Sequence, residues 1–147
     1  MEKSIIQKSI IQKSIIQKSI IQKSIITSLT PEELFNLQQA STNTLIVIKF
    51  GAEWCGPCKK IKPLWNEWIT LVPSNIIIVD IDVDESIELY VQLKAKKMVK
   101  GVPTILAFAG DIKREKWYIP DDSVLGGNEG DVKQFMNRCF MKAKTMV

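Results

Sequence analysis

Residues 45–59 read Leu-Ile-Val-Ile-Lys-Phe-Gly-Ala-Glu-Trp-Cys-Gly-Pro-Cys-Lys, an apolar run rich in β-branched residues that gives way at Gly51 to two cysteines three positions apart. Leu45 to Phe50 is continuous enough to be a strand buried on both faces. Behind the cysteines, Ile61, Leu64, Trp65, Trp68 and Leu71 recur at helical spacing, which predicts a helix from about Cys58 to Leu71. A second apolar run from Asn75 to Val83 predicts another strand, and strand, helix, strand of these lengths implies a right-handed βαβ unit with a parallel pair.

That unit places Cys55 at or just before a helix N-terminus. Unpaired backbone N–H groups and the helix dipole favour an anion there, which lowers a thiol pKa from about 8.5 towards about 7 or below. Two intervening residues let the second sulfur reach the first across one turn, so a disulfide can close with little backbone movement. Capture by one cysteine and displacement by its neighbour is the chemistry this spacing offers. A half zinc site has the same spacing, but the chain has no His, and Cys139 alone cannot complete a Cys₃ or Cys₄ set.

Working outward, Thr30-Pro31-Glu32-Glu33 supplies an N-cap, a Pro at the first helical position and an acid at the third, predicting a helix over Pro31 to Gln39. A further helix is expected from about Glu85 to Lys97, its last turn rich in Lys. Thr104 to Ala109 and Lys113 to Ile119 flank Gly110-Asp111 and read as a β-hairpin. The chain closes with a helix from about Gly130 to Lys144, in which Val132, Phe135, Met136, Cys139 and Phe140 form one apolar stripe. Cys139 on that stripe reads as a small core residue.

The 147 residues are 46% hydrophobic and 24% charged, enough for one globular domain with an appendage. The absence of His removes Ser-His-Asp and Cys-His nucleophiles and imidazole metal ligands from consideration. Three cysteines are too few for a secreted disulfide framework, so a reducing compartment, the cytoplasm, is expected. The net charge of +4 lies wholly in the first 27 residues, and 15 basic against 15 acidic residues in the remainder argue against a nucleic-acid-binding surface. No membrane span and no secretory signal core is evident.

Residues 3–27 are five copies of Lys-Ser-Ile-Ile-Gln, the last ending in Thr27. A period of five spreads the Ile pairs around a helix and alternates them across a strand, so disorder or a helix without a fixed partner is expected. A basic membrane-surface segment and a self-associating β-prone tail are the alternative readings. The division is therefore an extension over 1–24 and a domain over 25–147.

From about residue 25 to 142 the chain closely resembles the thioredoxin family. The resemblance rests on Trp54-Cys55-Gly56-Pro57-Cys58, on Ala52-Glu53 before it and Lys59 after it, on Pro63, where family members kink the helix, and on Gly101-Val102-Pro103-Thr104. Ile25-Ile26 is similar to the family's first strand. The resemblance implies an α/β thioredoxin fold, with a central mixed sheet flanked by helices and a cis peptide before Pro103 facing the cysteine pair. It implies Cys55 as exposed nucleophile and Cys58 as buried resolving thiol. Trp54, Gly56, Pro57, Val102 and Pro103 would receive a polypeptide substrate. The implied activity is reduction of protein disulfides, without a bound cofactor or metal, with electrons from an external reductase or small thiols. A Gly-Pro pair between the cysteines resembles that of reducing members, with a potential near the thioredoxin value of about −270 mV. An isomerase or oxidase role, and a binding module tethered by the basic tail, are the alternatives.

Four departures from the family pattern stand out. Lys49 occupies the place of a buried acid, and Asp80 the place of its Lys partner. Two readings stay open: Asp80, oriented by Lys49, accepts the proton that frees Cys58, or Lys49 merely snorkels from the sheet and Asp80 is a strand-end charge. Gly51 replaces an aromatic residue, which would loosen packing beside the cysteines. The segment between Asp84 and Pro103 is about four residues longer than in compact members. Tyr118 to Gly127 reads as an insertion, with Gly126-Gly127 lining the substrate groove.

Overall fold

The computed structural model describes residues 24–147. The readings of the repeat fall outside the described residues except for its last copy. There, Ile26 makes one parallel bridge to Val79, its N–H donating to the Ile78 carbonyl at 3.0 Å and its carbonyl accepting from Asp80 N–H at 2.8 Å. The anticipated first strand is thus a single bridge on the sheet edge.

Four helices and four strands follow in the order α1 (Pro31–Ala40), β1 (Leu45–Gly51), α2 (Gly56–Leu71), β2 (Ile76–Asp82), α3 (Glu88–Ala95), β3 (Thr104–Ala109), β4 (Asp122–Leu125) and α4 (Glu129–Thr145). The sheet order is β2-β1-β3-β4, with β1–β2 parallel and the other two pairings antiparallel. The period of two along β1 divides the core. Leu45 and Val47 face α2 and α4, packing with Ile61, Trp65, Phe135 and Cys139. Ile46, Ile48 and Phe50 face the opposite side, packing with Leu34 of α1 and Leu89 and Leu93 of α3. At α1 the capping box forms as its sequence predicts: Glu33 N–H donates to Thr30 Oγ1, and Thr30 N–H to Glu33 Oε1, both at 3.1 Å.

Three expectations are corrected. Lys113 to Ile119 is no strand, and β3 pairs instead with Asp122–Leu125. The cause is Arg114, whose guanidinium donates to the carbonyls of Ala109 (2.8 Å) and Ile119 (2.9 Å) and pairs with Asp121 at 2.6 Å. These bonds gather the segment into a tied excursion. Gly110 and Asp111, rather than turning a two-residue hairpin, bond to the carbonyls of Thr44 and Gln38. Because β4 lies inside residues 118–127, that stretch is not an insertion as a whole. Finally, α3 is shorter than Glu85 to Lys97: Glu85 and Ser86 bond back to the Asp82 carbonyl in a turn, and Lys97 takes a left-handed φ of 62° that ends the helix.

Candidate active site

The cysteines sit where β1 meets α2. Cys55 is the N-cap residue of α2, and its Sγ accepts the Cys58 N–H at 3.2 Å, so one otherwise unpaired helix donor is aimed at this sulfur. Pro57 occupies the first turn, where its missing N–H costs no helical bond, and α2 continues through Pro63 to Leu71. Cys55 and Cys58 are joined by a disulfide with Cα atoms 5.2 Å apart. Facing them, the Val102–Pro103 peptide is cis, and the Val102 carbonyl lies 3.7 Å from Cys55 Sγ.

Exposure of the two sulfur-bearing residues runs opposite to the expectation carried by the resemblance. Cys55 is 4% exposed, whereas Cys58 is partly exposed. Cys55 is covered from the Val102 side. Cys58 lines an open pocket together with Gly51, where a Cβ would stand 3.7 Å from Cys58 Sγ.

Around the pair, Trp54 is 68% exposed and tethered, its indole N–H donating to Asp84 at 2.7 Å. Gly56 and Pro57 are exposed, Val102 is partly exposed and Pro103 is buried. Gly127 packs against Pro57, and Gly126 N–H donates to the Pro103 carbonyl at 2.9 Å, which brings the β4–α4 connection against the cysteine turn. Lys49 and Asp80 are register partners on β1 and β2, with Nζ and Oδ1 3.4 Å apart. Asp80 also accepts the Trp65 indole N–H at 3.1 Å, and Lys49 Nζ lies 5.1 Å from the centre of the Trp65 ring. Both residues line the pocket beneath Cys58.

Sequence reasoning missed Trp65 and Asp84. Trp65 reads only as part of an apolar stripe, since nothing in its spacing reveals the indole N–H aimed at Asp80. Asp84 is 30 residues from Trp54, so no local pattern links them. Cys139 lies apart from the site in the α2–α4 core, where burial, followed by the charge of Asp122, pushes its thiol pKa up to about 12.

A disulfide-forming pair at a helix N-terminus, on a mixed sheet and facing a cis-Pro loop, defines a Cys-x-x-Cys redox protein. The chain belongs to the thioredoxin family, whose profile, Thioredoxin, matches residues 26–136. It is 36% identical over 106 residues to thioredoxin 3 of Plasmodium falciparum, covering 71% of this chain and 54% of that protein. To thioredoxin 1 of the same organism it is 30% identical over 98 residues, covering 67% of this chain and 83% of the relative. The chain thus spans about half the length of one of these relatives and most of the other. Among solved structures, Fasciola hepatica thioredoxin superposes with a TM-score of 0.59 at 26% identity, covering 78% of this chain and 98% of that one. The fold is the thioredoxin fold.

Proposed function

We propose that the chain is a thiol–disulfide oxidoreductase that reduces protein disulfides. The observation that carries this reading is the disulfide at the start of α2, with the Cys58 N–H pointed at Cys55 Sγ. In the reduced protein that N–H and the helix dipole stabilise a Cys55 thiolate, which attacks one sulfur of a substrate disulfide and expels the other as thiolate. The Cys58 thiolate then attacks Cys55 Sγ, releasing the second substrate thiol and leaving the disulfide seen here. Two electrons pass from the pair to the substrate. Trp54, Gly56, Pro57, Val102 and Pro103 surround Cys55 and form the surface for an extended polypeptide.

Asp80, held by Lys49 and Trp65, is the candidate acceptor for the Cys58 proton, since both line one pocket. Electrons are supplied from outside the chain, and a reducing compartment such as the cytoplasm suits a pair that must be regenerated as thiols.

Insulin reduction driven by dithiothreitol tests the activity. Wild type is expected to accelerate it and Cys55→Ser to return it to the uncatalysed rate; equal rates for the two overturn the reading. Cys58→Ser is expected to stall as a mixed disulfide at Cys55 and so isolate the substrate. For Asp80, single-turnover resolution of that mixed disulfide is expected to slow in Asp80→Asn, with its pH dependence displaced to higher pH. An unchanged pH profile removes Asp80 from the reaction.

A further inference from the structure

Reoxidised protein must be reduced again, and the two sulfurs differ in how a reductant reaches them. Cys55 is 4% exposed and bounded by the Val102 loop on the side where Trp54 and Pro57 offer a surface to large substrates. Cys58 opens on the other side, into a pocket of about 410 Å³ that Cys55 does not line. That volume suits a molecule of amino-acid to tripeptide size. Gly51 contributes to the opening by carrying no side chain: a Cβ there would stand 3.7 Å from Cys58 Sγ, in ordinary contact, so only a larger side chain would fill the space beside the sulfur.

The lining selects a charge type. Lys49, Lys59 and Lys62 are matched by Glu53, Asp80 and Asp82. Lys49 and Asp80 already pair with each other, which leaves two cations and two anions at the rim. Equal numbers of both signs complement a zwitterion better than a simple anion or an apolar molecule.

We infer that this pocket admits the electron donor, a low-molecular-weight zwitterionic thiol bearing both amino and carboxylate groups, and that the donor attacks Cys58 rather than Cys55. Its thiolate forms a bond to Cys58 Sγ as the Cys55–Cys58 bond breaks. The electron pair leaves on Cys55, the sulfur that the helix N-terminus and the Cys58 N–H stabilise as an anion. A thiol of lower pKa departs faster, so attack on Cys58 has the better leaving group as well as the open path. A second donor thiolate then attacks the donor sulfur of the mixed disulfide, releasing the donor's symmetric disulfide and the Cys58 thiolate. Two donor thiols are oxidised and one protein disulfide is reduced. Substrate and donor thus approach the pair from different sides.

The inference rests on the oxidoreductase reading, and its test separates the two. Oxidised full-length protein is mixed with reduced glutathione and quenched with iodoacetamide. The tryptic peptide Phe50–Lys59, which carries both cysteines, is then sequenced by mass spectrometry. Glutathione on Cys58 with carbamidomethyl on Cys55 is expected; the reverse pattern overturns the inference. In parallel, Gly51→Phe, whose ring would fill the pocket beside Cys58, is expected to slow reduction by glutathione at least tenfold, and an unchanged rate overturns the inference. Dithiothreitol-driven insulin reduction by wild type is the independent arm. If it proceeds while glutathione attaches to Cys55, only the donor route fails; if it does not proceed, the oxidoreductase reading fails and the donor route with it.

Discussion

Replacing Gly127 by Ala tests how rigidly the cysteine turn is seated. The new Cβ would lie 2.8 Å from Pro57 Cβ, 3.0 Å from the Pro57 carbonyl oxygen and 3.1 Å from Pro57 Cα. Two carbons sit comfortably at about 3.5–4.0 Å, so the closest contact is short by roughly 0.7 Å. None of the three atoms can swing aside, because all belong to a proline ring or its backbone. The Gly127 side is also held: Gly126 N–H donates to Pro103, and Asn128 caps α4 by accepting Asp131 N–H at 3.0 Å. Neither wall yields freely, so the clash is expected to cost about 1–3 kcal/mol, the usual range for overpacking. For a domain of this size that is a Tm lower by roughly 4–12 °C. Because Pro57 lies between the two sulfurs, insulin turnover is expected to fall several-fold as well. Gly101→Ala is the control, since its Cβ meets nothing within 4 Å, and it should melt with wild type. Calorimetry and the insulin assay on both variants decide the matter. A Gly127→Ala protein that melts within a degree of wild type at full turnover would refute the seating of Pro57 described above.

Two further predictions concern ionisable groups. Cys139 is buried, with its thiol pKa raised from 9.0 to about 12, so in the reduced native protein iodoacetamide at pH 8 should modify Cys55 and Cys58 and reach Cys139 only in denaturant. Because the folded state holds this proton more tightly, its stabilising effect is full below about pH 9 and is lost as the pH rises towards about 12; rapid native labelling of three thiols would contradict this. Arg138 holds the Asp122 carboxyl below its ordinary value through bonds of 2.8 and 3.0 Å. That stabilisation is present above the unfolded value of about 3.9 and disappears as the pH falls through the folded value. With the Arg138 side chain 50% exposed, the pair is worth about 1 kcal/mol or less. Asp122→Asn should therefore lower Tm slightly at pH 7 and flatten its fall between pH 5 and 3, which a pH series of melts would show or deny.

Local chemistry was legible in the sequence where it is periodic or capped. The continuous apolar run of β1 marks a strand buried on both faces, the helical stripe of α2 puts Ile61 and Trp65 in the core, and Thr30 with Glu33 marks the start of α1. What escaped depends on a side chain reaching a distant partner. Lys113 to Ile119 reads as a strand until the Arg114 guanidinium is seen gathering the carbonyls of Ala109 and Ile119. The tether from Trp54 to Asp84 and the seat of Pro57 on Gly127 join segments brought together only by the fold. The exposure of Cys58 escaped for a different reason: Gly51 beside it carries no side chain, and the resemblance carried over an arrangement in which that space is filled.

Lys49 and Asp80 reach the pocket because of the face of the sheet they share with Gly51. Lys49 and Gly51 are two residues apart on β1 and both face α2, so the pocket opened at Gly51 reaches the ion pair, whose side chains are 12% and 35% exposed. An ion pair on a pocket wall escapes most of the desolvation cost that a fully buried one carries, and its Coulomb energy is unchanged when the two charges trade strands. What is not symmetric is Trp65. Its ring face carries the negative lobe of the aromatic quadrupole and lies beneath the Lys49 ammonium at 5.1 Å, while its edge N–H points at the Asp80 carboxylate. With the charges reversed, a carboxylate would lie against the ring face and an ammonium against an N–H, two repulsive contacts in place of two attractive ones. The indole, packed on α2 with no exposed surface, therefore fixes which strand carries the cation and turns the Asp80 carboxylate towards the pocket that Cys58 shares.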